Sequence, residues 1–311
     1  YYYKKTNDIL VQTPYIAAMG EGGEPWVNGA SMNNQGVEFT VSFKSDPSSE
    51  FQWAVSANIG TYKTELTDLP SNVINKYAGD GVHDLILGRS PNSAYGLVAD
   101  GIFKTQEEVD AHADQPGKAV GRIRYKDLDG DGVINETYDR TWIGCYDPDF
   151  FGGLNFDFAY KGFDLNLFFE GMFGNDVNSD WKKESDIWLF TNPAWKNHAT
   201  RMLGGWSPDN PNSDIPAISN NTANQEQRFS SWFIEDGSYI KLRNIELGYT
   251  FPTKLIKKMH MSNLRLYAAA YNVFTLKKFW GDDKYTSFDP ERPSYHYLTP
   301  FTFNFGINVS F

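Results

Sequence analysis

The sequence predicts an all-β protein, a transmembrane antiparallel β-barrel, from three observations. Eight stretches alternate apolar residues with small or polar ones, which is the pattern of strands with one apolar and one polar face. The connections between these stretches alternate between short and long. Aromatic residues make up 16% of the chain, and both β-strands and the interfacial belts of membrane proteins favour aromatic residues.

Composition excludes several classes of protein. The formal net charge of −11 argues against a nucleic-acid partner, which needs a basic face. No run of 18 apolar residues occurs, so no transmembrane helix is predicted. The single cysteine, Cys145, excludes an intramolecular disulfide. No signal peptide precedes the first predicted strand, and we therefore expect the chain to be the C-terminal part of a longer exported protein.

The lengths of the connections predict which kind of barrel this is. Three connections are short, and they lie at 46–50, 161–162 and 252–262. Four are long, and they lie at 14–35, 63–150, 173–236 and 277–299. Outer-membrane barrels have short periplasmic turns and long extracellular loops, whereas a soluble sandwich has no reason to place every long loop at one end.

The first three strands show the alternation in order along the chain. Residues 1–13 form the first predicted strand, and the hairpin that follows alternates through 37–43 and 51–59. The next loop is too long for a simple connection, so we expect it to carry its own structure. Within this loop, Thr105 and the acidic residues after it predict the start of a short helix over 105–113.

The remaining five strands follow the same rule. Four of them are predicted at 154–160, 163–170, 237–251 and 263–276. The last stretch, FTFNFGINVSF at 301–311, is the clearest, because every odd position is apolar and every even position is small or polar. Its length suits a tilted strand that crosses a bilayer. The polar alternate faces predict a water-filled interior, where the acids Asp157, Asp164, Glu170 and Glu246 would be solvated wall residues.

Seven stretches together carry a resemblance to a known family. They are NGASMNNQGVE at 28–38, YKDLDGDGVIN at 125–135, DRTWIG at 139–144, YKGFD at 160–164, WSPDNPNSD at 206–214, GSYIKLRNIELGY at 237–249 and DPE at 289–291. In this order, the stretches resemble the C-terminal third of SusC-like, or RagA-like, TonB-dependent outer-membrane transporters of Bacteroidetes.

The resemblance implies a fold, a location and a function. Residues 1–311 would be one segment, about the last eight strands of a 22-stranded barrel in the outer membrane, with the plug domain outside this chain. The transporter would import a glycan or peptide oligomer with a SusD-like surface lipoprotein as its lid, powered through TonB, as a dimer of transporter–lipoprotein pairs. The terminal Phe311 would be the signal that the barrel-assembly machinery reads before the strand enters the outer-membrane lipid.

An acidic, glycine-containing loop is the sharpest local motif. Its spacing matches a calcium loop, and the candidate ligands are Asp127, Asp129, Asp131, the Val133 carbonyl, Asn135 and Asp139. The closing position is Tyr138, and Asp139 stands one residue later, so the loop would need a bulge to close on an ion. The alternative is a surface turn rich in Asp and Gly that binds no ion.

The loop over 173–235 is rich in tryptophan. Its five tryptophans are Trp181, Trp188, Trp195, Trp206 and Trp232. They could stack on sugars or hold peptide side chains. The alternatives are packing of the loop on itself and contact with a partner lipoprotein.

No arrangement of residues predicts catalysis, so we expect no enzyme activity. The five histidines lack metal-ligand spacing, and no nucleophile elbow or phosphate-binding loop occurs. Two other interpretations of the fold are compatible with the sequence. One is a soluble, calcium-binding β-sandwich that recognises glycans with its tryptophan-rich loops, and the other is a self-contained eight-stranded barrel, which the missing export signal disfavours.

Overall fold

Pairing of neighbouring strands organises the chain into one large sheet. The computed structural model describes residues 1–13, 24–74, 84–187, 198–219, 223–277, 286–293 and 297–311. Its strands are β1 Tyr2–Gln12, β2 Trp26–Lys44, β3 Phe51–Asp68, β4 Ser93–Leu97, β5 Ala99–Ile102, β6 Ile123–Tyr125, β7 Arg140–Cys145, β8 Phe150–Tyr160, β9 Phe163–Phe173, β10 Asp176–Asn178, β11 Ile234–Asp236, β12 Tyr239–Thr250, β13 Asn263–Lys277 and β14 Thr302–Ser310.

Eight of these strands form an antiparallel sheet in the order β1-β2-β3-β8-β9-β12-β13-β14. They are the eight strands that the alternation predicts. Because each strand pairs with the next large strand along the chain, the sheet is a meander of hairpins. A sandwich needs two large sheets packed face to face, whereas the eight large strands here form one sheet, so the sandwich alternative is wrong. The edges are β1 and β14, which do not pair with each other among the described residues, so the self-contained barrel is also wrong.

The two faces of the sheet differ in chemistry, as predicted. One row of paired positions across the sheet is apolar, and it contains Trp53, Phe158, Leu165, Leu247, Ala268 and Phe305. The adjacent row lies on the opposite face and contains Ala54, Asp157, Asn166, Glu246, Ala269 and Asn304. The apolar face is open, with Leu247 51% exposed and Phe305 78% exposed.

The helices are short. They are α1 Gln106–Ala111, α2 Asp180–Lys182 and α3 Thr253–Ile256. Thr105 caps α1, because its hydroxyl oxygen accepts a hydrogen bond from the Glu108 N–H at 3.3 Å, and this confirms the predicted cap. The helix ends at Ala111, two residues before the predicted end. In the part of the chain that is described, no helix has the length and apolar character to cross a membrane.

The first hairpins are longer than predicted. β2 already begins at Trp26, so the prediction of a loop over 14–35 is wrong in its second half, and β3 continues to Asp68. This outer part of the ribbon lacks apolar alternation. Backbone pairing and polar side-chain contacts hold it, such as the 2.6 Å hydrogen bond from Asn34 Nδ2 to Thr64 Oγ1.

The long connections fold into a loop assembly with its own core, as expected for the stretch after β3. Five residues form a buried cluster there, namely Leu97, Ile102, Ile123, Tyr125 and Ile134. Small two-stranded sheets tie the loops together, and the β10–β11 sheet joins the two ends of the β9–β12 connection. The short connections lie between β2 and β3, β8 and β9, and β12 and β13, so all of them lie at the opposite end of the sheet.

Candidate functional site: the polar sheet face and the loop assembly

A ladder of amide and carboxylate side chains crosses the middle of the polar face. Asn166 Nδ2 donates to Asp157 Oδ1 at 2.7 Å and to Asn155 Oδ1 at 3.0 Å. Asn244 Nδ2 in turn donates to Asn166 Oδ1 at 2.9 Å. The register of β8, β9 and β12 brings these residues together, because each occupies a polar alternate position of its strand. The ladder gives this face hydrogen-bonding groups that suit water or a polar solute.

An ion-pair cluster lies on the same face near the short turns. Arg265 donates from Nε to Asp164 Oδ1 at 3.0 Å and from Nη2 to Glu246 Oε1 at 2.7 Å. These two predicted wall residues are partly exposed, and they have an ion-pair partner that the sequence did not indicate. The alternation of the strands placed them on the correct face, but their partner comes from β13, and only the side-chain hydrogen bonds of the folded chain show that Arg265 reaches them.

A second cluster fastens the last long loop to the sheet. Lys241, only 1% exposed, donates from Nζ to Asp289 Oδ1 at 3.1 Å and also contacts Glu291. Arg243 binds Glu291 as well, and its Nε donates to Glu170 Oε2 at 2.8 Å. Two cations thus hold two carboxylates of segment 286–293 and one of β9.

The second cluster depends on a β-bulge that sequence reasoning missed. The pairing of β12 with β9 skips Arg243 between Leu242 and Asn244, so that Asn244 joins Lys241 and Arg243 on the polar side. Desolvation by itself would raise the pKa of Glu291, but the hydrogen bonds from Lys241 and Arg243 outweigh it and lower the pKa below the ordinary value. The signal available in the sequence was the pair of cations two residues apart, Lys241 and Arg243, in a strand whose only other charged residue is Glu246.

The acidic loop is held by its own carboxylates. Asp127 accepts hydrogen bonds from the Gly130 and Gly132 N–H groups at 2.7 and 2.9 Å. Asp139 is 0% exposed and accepts from the N–H groups of Leu128 at 2.8 Å and Asn135 at 2.7 Å. Desolvation opposes the effect, but the backbone hydrogen bonds of Gly132 and Gly130 lower the pKa of Asp127.

The predicted calcium ligands are partly brought together. Asp127, Asp129 and Asp139 each offer an oxygen, and these three atoms lie within 4.8 Å of one another. Asp131 instead accepts a hydrogen bond from the Val133 N–H at 2.7 Å, and the Asn135 Oδ1 accepts from Thr137 and Tyr138. Three carboxylates fit the hard-oxygen preference of calcium, and Asp139 closes the set despite its displaced position.

Three of the five loop tryptophans are described, and all three are half-buried in the loop assembly. Trp181 packs edge-on against Phe288 with ring centroids 4.6 Å apart. Trp206 and Trp232 pack against the buried loop cluster, and Lys182 Nζ lies 4.7 Å from the centre of the Trp232 ring. Trp188 and Trp195 lie outside the described residues. Contact of these side chains with a substrate or partner stays a prediction, as does the role of Phe311, which is exposed just after β14.

Comparison with known sequences gives relatives over the whole chain. No protein-family model matches it. The TonB-dependent receptor P3 of Formosa agariphila is 30% identical over 329 residues, which cover 100% of this chain and 32% of the receptor. The TonB-dependent receptor SusC of Bacteroides thetaiotaomicron is 25% identical, and the match covers 100% of this chain and 29% of SusC. The chain therefore spans about a third of the length of the curated relatives it matches.

Comparison with solved structures gives the same fold. A structure of the RagAB peptide transporter superposes with a TM-score of 0.75 at 23% identity, covering 99% of this chain and 32% of that chain. The RagAB peptide importer in its open-open state gives a TM-score of 0.72 at 22% identity, covering 99% and 32%. These matches confirm the predicted barrel architecture. Over its whole length the chain is therefore a relative of the SusC-like TonB-dependent receptors, and its sheet is a segment of a receptor β-barrel of that kind.

Proposed function

We propose that this chain forms part of the wall and of the entrance of an outer-membrane importer that takes up an oligomeric nutrient. One observation carries the proposal: a single sheet exposes a continuous apolar face on one side and a hydrogen-bonded, ion-paired face on the other. An apolar face of this extent needs a lipid surface to cover it, whereas the polar face suits an aqueous lumen. The kinship with receptors and transporters supports import rather than catalysis.

The two ends of the sheet would lie on opposite sides of the outer membrane and have different roles. The short turns would face the periplasm, and the loop assembly would face outward, where it would shape the entrance and meet a SusD-like lipoprotein. The energy would come from the proton gradient through TonB. The barrel-assembly machinery would recognise Phe311, and transporter–lipoprotein pairs would form dimers. RagAB is a peptide transporter. For this chain we propose that the imported substrate is a glycan or a peptide oligomer.

Uptake by living cells tests the proposed function. Cells that carry the full-length receptor should accumulate fluorescent oligopeptides or oligosaccharides from the medium, and cells that lack its gene should not. Because import would draw on the proton gradient, a protonophore should abolish accumulation while surface binding persists. Accumulation that is unchanged by gene deletion or by the protonophore would contradict the proposal.

We also propose that the acidic loop binds calcium through Asp127, Asp129 and Asp139. The support is the convergence of their three oxygens and the spacing of the motif. The ion would fix the loop that carries part of the entrance, and it would have no catalytic part.

A further inference from the structure

A cavity of about 590 Å³ lies where the loop assembly meets the polar face. The end of β9, strand β10 and residues 290–293 of the last long loop surround it. Six of its lining residues matter for recognition, namely Tyr146, Asn175, Asp176, Asp180, Tyr239 and Glu291. It lies beside Glu291 of the second ion-pair cluster, at the loop end of the polar face.

Negative charge in this cavity is only partly compensated. Three carboxylates line it, while no Lys, Arg or His is among the described residues that line it. Glu291 is paired with Lys241 and Arg243. Asp176 and Asp180 have no ion pair within the described part of the chain, and Asp176 accepts only the Cys145 N–H at 2.8 Å.

The pKa values of two groups in the cavity lining are raised, as expected where negative charge is not compensated. Burial raises the pKa of Asp176, and the nearby charges of Asp236 and Asp149 raise it further, against the Cys145 hydrogen bond. Burial also raises the pKa of the Tyr146 hydroxyl, and the charges of Asp176 and Asp180 add to the effect. Such shifts arise where negative charge lies in a desolvated place without a counter-ion.

An unsatisfied acceptor in the cavity lining points independently to a missing donor. Asn175 is only 5% exposed, and its Oδ1 is buried and accepts no hydrogen bond. The backbone of Asn175 is fixed by a hydrogen bond, in which its carbonyl oxygen accepts the Gly237 N–H at 2.8 Å. A buried amide oxygen without a donor is unfavourable and rare in native proteins, so a donor that reached Asn175 Oδ1 from the cavity would stabilise it.

The spread of the oxygens favours an organic cation over a metal ion. Among the described residues, the acidic oxygens of Asp176, Asp180 and Glu291 do not converge as those of the Asp127 loop do. Calcium needs six to eight oxygens at 2.3–2.6 Å. An ammonium or guanidinium group has several donors that can reach separated acceptors, and the rings of Tyr146 and Tyr239 can contact its face.

We propose that this cavity binds an ammonium or guanidinium group of the imported oligomer, as an amino sugar or as a basic peptide. The inference rests on the proposed import function, since the oligomer reaches the cavity only through the entrance. Asp176 and Asp180 supply the charge, Asn175 Oδ1 accepts one hydrogen bond, and the ion pairs of Glu291 hold the wall in place. Import would then favour oligomers that carry a free cationic group near one end.

Matched probes test the proposal on the purified full-length receptor with its lipoprotein. One pair is chitosan tetramer and its fully N-acetylated form, and the other is an end-capped hexapeptide with one lysine and the same peptide with that lysine acetylated. Calorimetry should give the amine form of at least one pair an affinity at least about tenfold higher, which is the effect of one charge-assisted contact. The pair that shows the preference identifies the source of the cation.

Substitutions of the two unpaired carboxylates test whether the preference for the amine form arises in this cavity. Asp180→Asn and Asp176→Asn should each weaken binding of the amine form about tenfold and leave the acetylated form unchanged. Asp209→Asn removes the same charge from an exposed turn and should change neither. Binding of the acetylated form also shows that each variant is folded. Equal affinity within both pairs, or equal effects of Asp180→Asn and Asp209→Asn, would overturn the inference.

The same probes separate this inference from the proposed function. Amine-dependent binding that requires Asp180, combined with no energy-dependent uptake, would support the cavity and contradict import. Energy-dependent uptake with no preference for the amine would support import and overturn the inference.

Discussion

At the residue scale, Asp139 shows how one carboxylate can organise a loop. It is fully buried and receives two backbone N–H groups, one from each side of the acidic loop. It also brings an oxygen close to those of Asp127 and Asp129. The sequence predicted Asp139 only as a displaced calcium ligand. Its anchoring role could not be predicted, because that role depends on a chain path that returns Leu128 and Asn135 to the same side chain.

Substitution of Asp139 tests both roles. Without calcium, Asp139→Ala should destabilise the loop by about 2 kcal/mol, because two partly buried backbone N–H groups lose their charged acceptor. Asp129→Ala should cost little by comparison, since Asp129 is exposed and accepts one backbone hydrogen bond, from the Asp131 N–H at 3.1 Å. Hydrogen exchange of residues 123–145 in the full-length receptor measures both changes.

Calcium addition completes the same experiment. It should slow exchange of this loop in the wild-type receptor and have little effect in either variant, because each lacks one of the three converging carboxylates. An unchanged wild-type exchange rate would refute the calcium proposal. Equal destabilisation by the two substitutions in the absence of calcium would refute the anchoring role of Asp139.

At the scale of elements, segment 286–293 is tied to β12 mainly by charge. Glu291 gains hydrogen bonds from Lys241 and Arg243 that hold its pKa below the ordinary value of 4.5, although desolvation opposes them. A group whose pKa is lower in the folded state contributes stability above its unfolded pKa. That contribution is lost as the pH falls through the folded pKa. The attachment of the segment should therefore weaken only below pH 4.5.

A spin label can follow this attachment. In a full-length receptor free of other cysteines, with Cys145→Ser, a label at Arg292→Cys should be immobile at neutral pH and gain mobility as the pH falls below 4.5. Glu291→Gln should make the label more mobile at neutral pH than in the parent receptor, because the neutral amide cannot replace the charge paired with both cations and only Asp289 still binds Lys241. A transition of the same shape in the Glu291→Gln variant would show that another group controls the segment.

The elements also show what the sequence could and could not predict. Alternation predicted all eight large strands, because one apolar face is a periodic constraint that each strand carries on its own. It missed the outer half of β2, where pairing with β1 and β3 replaces the apolar face. It also missed the bulge at Arg243 and the small sheets of the loop assembly, since both depend on partners far away in the sequence.

At the scale of the whole molecule, the sheet has two faces of opposite chemistry. Its apolar face is open, and its polar face carries two ion-pair clusters and an amide ladder. The sequence predicted this division from alternation, and the loop lengths predicted the direction of the strands. The cavity and its unsatisfied Asn175 could not be predicted, because they arise where three distant segments meet.

The central claim is that the apolar face meets lipid and the polar face meets water. Nitroxide labels at successive positions of β14, in the full-length receptor in lipid vesicles, measure this directly through their accessibility to oxygen and to a water-soluble nickel complex. Gly306 is left out because a side chain there would overlap the Tyr267 ring. Labels at Phe303, Phe305, Ile307 and Val309 should be accessible to oxygen, and those at Thr302, Asn304 and Asn308 to nickel. Accessibility that does not alternate, or that alternates in the opposite phase, would contradict the claim.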